Sequence, residues 1–256
     1  METVQSPNDI VMLEDNSVSA EKLLMNNSII QFTGVNNRLI IEDSVNIHNS
    51  KIIFNGSNGS AYISFSPKQL KINLTINNNC SFYLGKNYYF NGVLNAIISE
   101  QTKIIIGDSC LFSFGIWIRT ADPHLIYDLD SEERVNPSRS VLIGDHVWIG
   151  QNALILKNSQ IGSGTILGAN SVLSSKHIES NSIWGGNPVK RIKRRVFWSG
   201  ECVHTWTTLQ TQKHSTMQGK DYNFIPEQIS QENRAIDVDS LSVFNMPEGK
   251  YRFSIL

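Results

Sequence analysis

From Ile143 onward the chain can be written in sixes without a gap: IGDHVW, IGQNAL, ILKNSQ, IGSGTI, LGANSV, LSSKHI. The first place is always Ile or Leu, the second is usually Gly, and the fifth is usually small, as at Val147, Ala153, Ser159, Thr165 and Ser171. Self-similarity at this period is the signature of a parallel β-helix. Each short strand turns one aliphatic side chain into a narrow prism, while Gly and Asn serve the corners, where positive φ is often needed. Three hexapeptides close one coil, and coils stack about 4.8 Å apart like strands in a sheet. A β-sandwich of short strands is the competing architecture, but constant six-residue spacing argues against it.

The N-terminal half carries the motif more loosely, at Ile41–Ile47, Ile76–Phe82 and Ile106–Cys110. Stretches 54–70 and 86–100 do not phase with it, so irregular coils with short outward loops are expected there. The chain divides into an N-terminal segment over 1–28, a β-helix over 29–195 and a mixed C-terminal extension over 196–256. A short helix is expected near Ser19–Met25, and a turn at Phe224-Ile225-Pro226.

Composition excludes several classes. A formal net charge of −1 with 18% charged residues gives no footprint for nucleic acid. No apolar run approaches a membrane span, so no stable membrane insertion is expected. The start lacks the basic and apolar regions of a signal peptide, and Cys80, Cys110 and Cys202 show neither pairing nor metal-ligand spacing. A cytoplasmic protein in a reducing compartment is the expectation.

One stretch breaks the beat. Inward aliphatic or aromatic residues fall six apart at Ile106, Phe112 and Ile118, but Ile118 to Ile143 is 25 steps, not a multiple of six. The interruption begins RTADPHLIYD, Arg119 to Asp128, and sets a loop over 119–142. Pro123 biases its start towards an extended turn. His124 alone would read as an ordinary loop residue; its place at the register break, beside Asp122 and before the re-entry motif, points to chemistry. His146 sits at an outward place in a coil and is expected to be a surface or interface residue. Cys110, at the fifth place of a hexapeptide, is explained by packing.

Residues preceding each inward aliphatic should point outward, namely Trp148, Leu154, Gln160, Ile166, Val172, Ile178 and Trp184. Eighteen-residue spacing should stack Trp148, Ile166 and Trp184 on one side and Leu154 with Val172 on another. Such apolar stripes mark an interface or a ligand groove, and threefold packing of prisms would be the natural assembly. Burial under the chain's own tail is the alternative. The basic run Lys190 to Arg195 reads either as a solvated helix or as an anion site.

The repeat, the Asp-x-His excursion, the re-entry Ile143–Gly150 and the exit Gly186–Ile192 together resemble the hexapeptide-repeat acyltransferases. More narrowly, Arg119–Tyr127 with Glu133–Asn136, and the later His214–Met217, resemble the bacterial capsular polysialic acid O-acetyltransferases. The resemblance implies a left-handed β-helix, a homotrimer, and acetyl-CoA in a groove between subunits, with no metal. It implies that His124 is the general base, taking the proton of a sugar hydroxyl as that oxygen attacks the thioester. Trp148 would supply an indole N–H to the developing oxyanion and line the donor groove. Either Asp122 or Asp128 would hold the imidazole. Donor contacts are expected at Lys157, Gly168, Ser174, Ser175, Lys190 and Lys193, the lysines meeting the phosphates. Arg119, Asp128 and Arg134 are expected to meet the acceptor. The activity implied is O-acetylation of a bacterial surface glycan such as sialic or polysialic acid; the alternative is N-acetylation of a nucleotide-linked amino sugar.

Overall fold

In the computed structural model, residues 1–217 together with 238, 241 and 242 are described. Seven coils of parallel strands stack into a prism, six of them with three strands and the third with two, and an eighth begins before the chain leaves it. The first face runs from Ser17–Ser19 through Lys103–Ile106 and Val141–Ile143 to His177–Ile178. The second face holds Leu24–Asn26 and Asn46–His48, then Tyr89–Phe90 through Trp148–Ile149 to Ser182–Gly185. The third runs from Ile29–Phe32 through Trp117–Arg119 to Val172–Leu173. Antiparallel strands cap both ends: Glu2–Val4 pairs with the first strand of the third face, and Lys190–Arg194 pairs with the last of the second.

Apart from the strandless stretch at 64–69, where an outward loop is expected from the sequence, the N-terminal coils are regular, but on a different period from the one the sixes suggest. Partners on successive coils lie 21 or 22 residues apart, as at Ser60 and Ser81 or Tyr89 and Leu111. The step is 37 across the loop, from Ile104 to Val141, then 18 between Trp148 and Ile166. More residues per coil mean a longer perimeter, and the wide coils are filled accordingly. Phe32 stacks on Phe54 at 4.9 Å between ring centroids, and Phe90 on Phe112 at 5.0 Å. Beyond the loop the inward rows reduce to Ile, Leu, Val and small residues until Trp184 at the C-terminal end, all buried. Along the third face Ile30, Ile52, Leu74, Ala96, Ile118, Ile155 and Leu173 form one continuous buried row. Each fully buried aliphatic in such a row contributes about 1.5–3 kcal/mol through removal from water.

Asparagines hold the corners. Asn36, Asn58 and Asn79 all take φ near +57 (58, 58 and 56), a region Asn tolerates because its short amide can bond locally. Their side chains form a ladder, Asn36 donating to Asn58 at 2.7 Å and Asn58 to Asn79 at 3.2 Å.

Four expectations are corrected. No helix forms over 19–25: Ser17–Ser19 and Leu24–Asn26 are strands of the first coil, and Leu23 turns into the core. The last coil step is 17 rather than 18, pairing Ile166 with Ile183. That lost residue rotates the pattern, so Ile178 and Trp184 point inward and are buried, while His177 and Ile183 take the outward places. Finally, the basic run is a strand, not a solvated helix, with all five residues of Lys190–Arg194 exposed.

The tail accounts for one apolar stripe. Val238 and Leu241 cover Tyr83, Ile105 and Leu142, the outward residues of the first face, and the Lys103 ammonium donates to Leu241 O at 2.5 Å. Val203–Thr205 and Thr208–Lys213 form short helices, the second capped by the Thr207 hydroxyl. The turn expected at Phe224–Pro226 lies outside the described residues. Among the described residues, no helix is long and apolar enough to cross a membrane.

Candidate active site

The loop leaves the third face after Arg119 and rejoins the first face at Val141, so it projects from the corner between them. It folds back as a hairpin-like arm. Tyr127 bridges Arg134, Val135 N–H donates to Ile126 O, and Asp128 N–H donates to Glu133 O. At its tip Asp128 accepts the N–H groups of Asp130 and Ser131 and the Ser131 hydroxyl, which hold its carboxyl below the usual range.

The base of the arm is built around Asn136, which is 5% exposed. Its amide nitrogen donates to His124 O at 2.8 Å and to the Asp122 carboxylate at 3.3 Å. Its amide oxygen accepts from Ile126 N–H at 2.9 Å and from Arg134 Nε at 3.3 Å. The backbone at His124 and just after it is therefore fixed, with the Asp122 side chain held before it, while the exposed imidazole has no hydrogen-bond partner among the described residues. Asp122, expected as a holder of that imidazole, is bonded to the Lys157 ammonium, which lowers its carboxyl pKa. Lys157, expected at the donor, also bonds Asn136 O at 3.1 Å and so belongs to the arm's foundation.

Arg134 is similarly engaged. It grips Glu100 with both terminal nitrogens, at 2.7 and 2.9 Å, and Ser138 adds its hydroxyl to the same carboxylate. The guanidinium first, and then Ser138, hold the Glu100 carboxyl down at about 2. Because the folded-state pKa is depressed, this contact stabilises the arm fully above the ordinary value of 4.5 and is lost as pH falls from there towards 2. The protection of the Val135 amide relative to its intrinsic exchange rate should therefore fall across that window, and Glu100→Gln should flatten the response.

Trp148 lies elsewhere. It is an outward residue of the second face, the face opposite the corner from which the arm leaves, and is 38% exposed. Its indole N–H reaches Ser113 Oγ at 3.5 Å, and Trp198 lies 5.9 Å away, tilted. His146, expected as a surface or interface residue, is instead clasped and half-buried. Its ring stacks on Trp198 at 4.0 Å and 2°, and Trp198 Nε1 donates to His146 O at 2.8 Å. Burial pushes the imidazole pKa down. Neither Asn136 nor this clasp carries a motif that assigns its role; only the fold shows what they hold.

Other expected positions gather at the C-terminal end. Ser174, Ser175 and Lys176 form the third-to-first corner one coil beyond Lys157, with Ser175 N–H donating to Lys157 O at 3.1 Å. With Val172 and Asn187–Val189 they line a cleft of about 320 Å³. Lys190 follows directly on this exit. Arg191 and Arg194 are paired with Glu179 at 3.2 and 2.8 Å, whereas Lys190 and Lys193 have no carboxylate partner among the described residues. Gly168 is at a different corner, donating to Trp184 O at 2.7 Å. Arg119 lies on the third face with its guanidinium 5.0 Å from the Trp117 ring.

Cys110 is fully buried, its thiol donates to Gly144 O at 3.2 Å, and burial pushes its pKa up. A thiol so placed is a packing group, since nucleophilic cysteines are exposed and acidic. Cys110→Ala should retain acetyl transfer within about twofold, with the measurable cost falling on thermal stability.

A prism whose coils become strict hexapeptides beyond the arm is that of a hexapeptide-repeat protein. Residues 140–175 match the family described as bacterial transferase hexapeptide (six repeats). A polysialic acid O-acetyltransferase of Neisseria meningitidis is 32% identical over 183 residues, 71% of this chain and 84% of its own length. The crystal structure of the polySia specific acetyltransferase NeuO superposes with a TM-score of 0.64 at 26% identity, covering 78% of this chain and 98% of that one. That of the polysialic acid O-acetyltransferase OatWY gives 0.61 at 26% identity, covering 79% and 99%. The chain belongs to the hexapeptide-repeat acyltransferases, in the group of the polysialic acid O-acetyltransferases.

Proposed function

We propose that this chain transfers acetyl from acetyl-CoA to a hydroxyl of an anionic surface glycan, sialic or polysialic acid, with His124 as general base. The observation that carries the reading is the anchored arm: Asn136 holds the His124 carbonyl and the Ile126 N–H that follows it, and leaves the imidazole open. An open imidazole can take the proton of an incoming hydroxyl and return it to the leaving thiolate. Charge developing on the carbonyl oxygen needs an N–H donor, and the exposed edge of Trp148 can supply one. The donor's pantetheine and phosphates would lie along the Ser174–Ser175 cleft and the Lys190–Lys193 strand, where two ammoniums lack carboxylate partners. Arg119 is a better acceptor contact than Arg134, which is paired with Glu100, or Asp128, which is bonded within the arm's tip.

His124 and Trp148 lie on opposite sides of one prism, so a site using both is completed by a neighbouring copy. Exposed apolar residues on the arm (Leu125, Ile126, Tyr127 and Leu129) support the same assembly, a homotrimer. N-acetylation of a nucleotide-linked amino sugar is not favoured by relatives named as O-acetyltransferases. Incubation with labelled acetyl-CoA and sialic acid oligomers tests the reading. An alkali-labile ester is expected; an alkali-stable product, or no transfer to any sialic acid, would overturn it.

A further inference from the structure

On the second face the outward residues Tyr89, Leu111 and Trp148 stand in direct register. Below Tyr89 the face is incomplete. Between Asn46–His48 and Tyr89–Phe90 no strand forms, and Leu70 alone bridges to Ile47. Residues 64–69 bulge outward instead, tied down where Ser66 Oγ donates to Tyr88 O at 2.8 Å and accepts Lys68 N–H at 3.2 Å. The bulge forms the lip of a cleft of about 320 Å³, whose lining includes Lys68, Gln69, Lys71, Tyr89 and Asn91.

The lining carries two ammoniums, two side-chain amides and an aromatic ring, and no carboxylate. Lys68 Nζ lies 5.6 Å from the centroid of Tyr89, whose ring is 41% exposed. Neither lysine has a carboxylate partner among the described residues. This set suits a sugar that bears a carboxylate: cations for the charge, a ring face for the sugar's apolar side, and amides for its hydroxyl and acylamino groups.

We propose that this cleft is a subsite for an anionic sugar residue of the acceptor polymer, away from the residue that is acetylated. The inference rests on the acceptor reading given under Proposed function and extends it along the prism axis. Donor candidates Ser174 and Lys190 lie on the C-terminal side of Trp148. The cleft lies on the opposite side, Tyr89 being two coils or roughly 10 Å from Trp148. A polymer with one residue at the reacting groups therefore has the N-terminal coils to run along, and the cleft is the cationic stop on that path.

Steady-state kinetics on the Lys68→Ala/Lys71→Ala double variant and on Tyr89→Ala test this, with a sialic acid trisaccharide and a long α2,8-linked polymer as acceptors. The double variant should raise KM for the polymer on the order of ten-fold, less at high salt. KM for the trisaccharide, KM for acetyl-CoA and kcat should stay unchanged, which also reports that the variant is folded. An unchanged polymer KM, or a parallel rise for the trisaccharide, would overturn the subsite while leaving the acceptor reading intact. A wild-type protein that acetylates neither acceptor would bring down both.

Discussion

His124→Ala should lose acetyl transfer by about 10³-fold, within the range that removal of a positioned general base produces. Few substitutions at this site separate chemistry from folding so cleanly. The imidazole is exposed and makes no hydrogen bond among the described residues, and the contacts that fix this part of the arm use His124 O and Ile126 N–H. Those backbone groups survive in alanine. Melting temperature and affinity for CoA should therefore stay near wild type while kcat collapses. The Cys110 variant provides the opposite control, losing stability rather than rate. Full activity in His124→Ala would remove the base from the mechanism and leave the arm with a purely structural purpose.

Legibility of the fold in the sequence depended on how many residues each corner consumes. Between Ile143 and Leu173 every strand and corner takes six residues, so the inward row is visible at once. In the N-terminal coils the period is 21 or 22, with strands of varied length, and no short window shows it. Composition holds a usable trace: large aromatics such as Phe32, Phe54, Phe82 and Phe112 sit inward where the coil is wide, and in the narrow coils that follow the interior takes one only at the end, Trp184. Past Leu173 the sixes misled. They place Glu179 inward, an unlikely tenant for an apolar prism, and that charge marked the one-residue shift that buries Ile178 and Trp184.

The arm was legible in its position and not in its wiring. A register break carrying Asp-x-His locates the arm, because a strict prism offers no projecting group. Which carboxylate or amide does what depends on neighbours that are far apart in sequence. Lys157 reaches back 35 residues to Asp122, and Arg134 reaches 34 residues to Glu100. Both pairs join successive corners of the prism, so the same loop whose sequence looks like an acidic and basic acceptor surface spends those charges on its own attachment.

Asn136→Ala follows from that wiring and should be the second most damaging change. Asn136 is buried and its side chain meets four groups: His124 O, the Asp122 carboxylate, Ile126 N–H and Arg134 Nε. Truncation leaves the Ile126 N–H and His124 O without these partners, and each such loss costs about 1–3 kcal/mol when the group stays buried. The arm lowers that cost by shifting, and a shift of the base by about 1 Å is enough to cost roughly 10²-fold in rate. The expected result is a fall in kcat of that order with KM for acetyl-CoA within about twofold, because Ser174, Ser175 and Lys190, the donor contacts proposed above, are untouched. Asn136→Asp separates the two halves of the amide: its carboxylate can still accept from Ile126 N–H and Arg134 Nε but cannot donate to His124 O, and it sets a second negative charge against Asp122. If kcat in Asn136→Asp falls as far as in Asn136→Ala, the bond to His124 O is what aligns the base. If instead both variants keep wild-type kcat, the imidazole is placed by something other than the bonds from Asn136 to His124 O and Ile126 N–H.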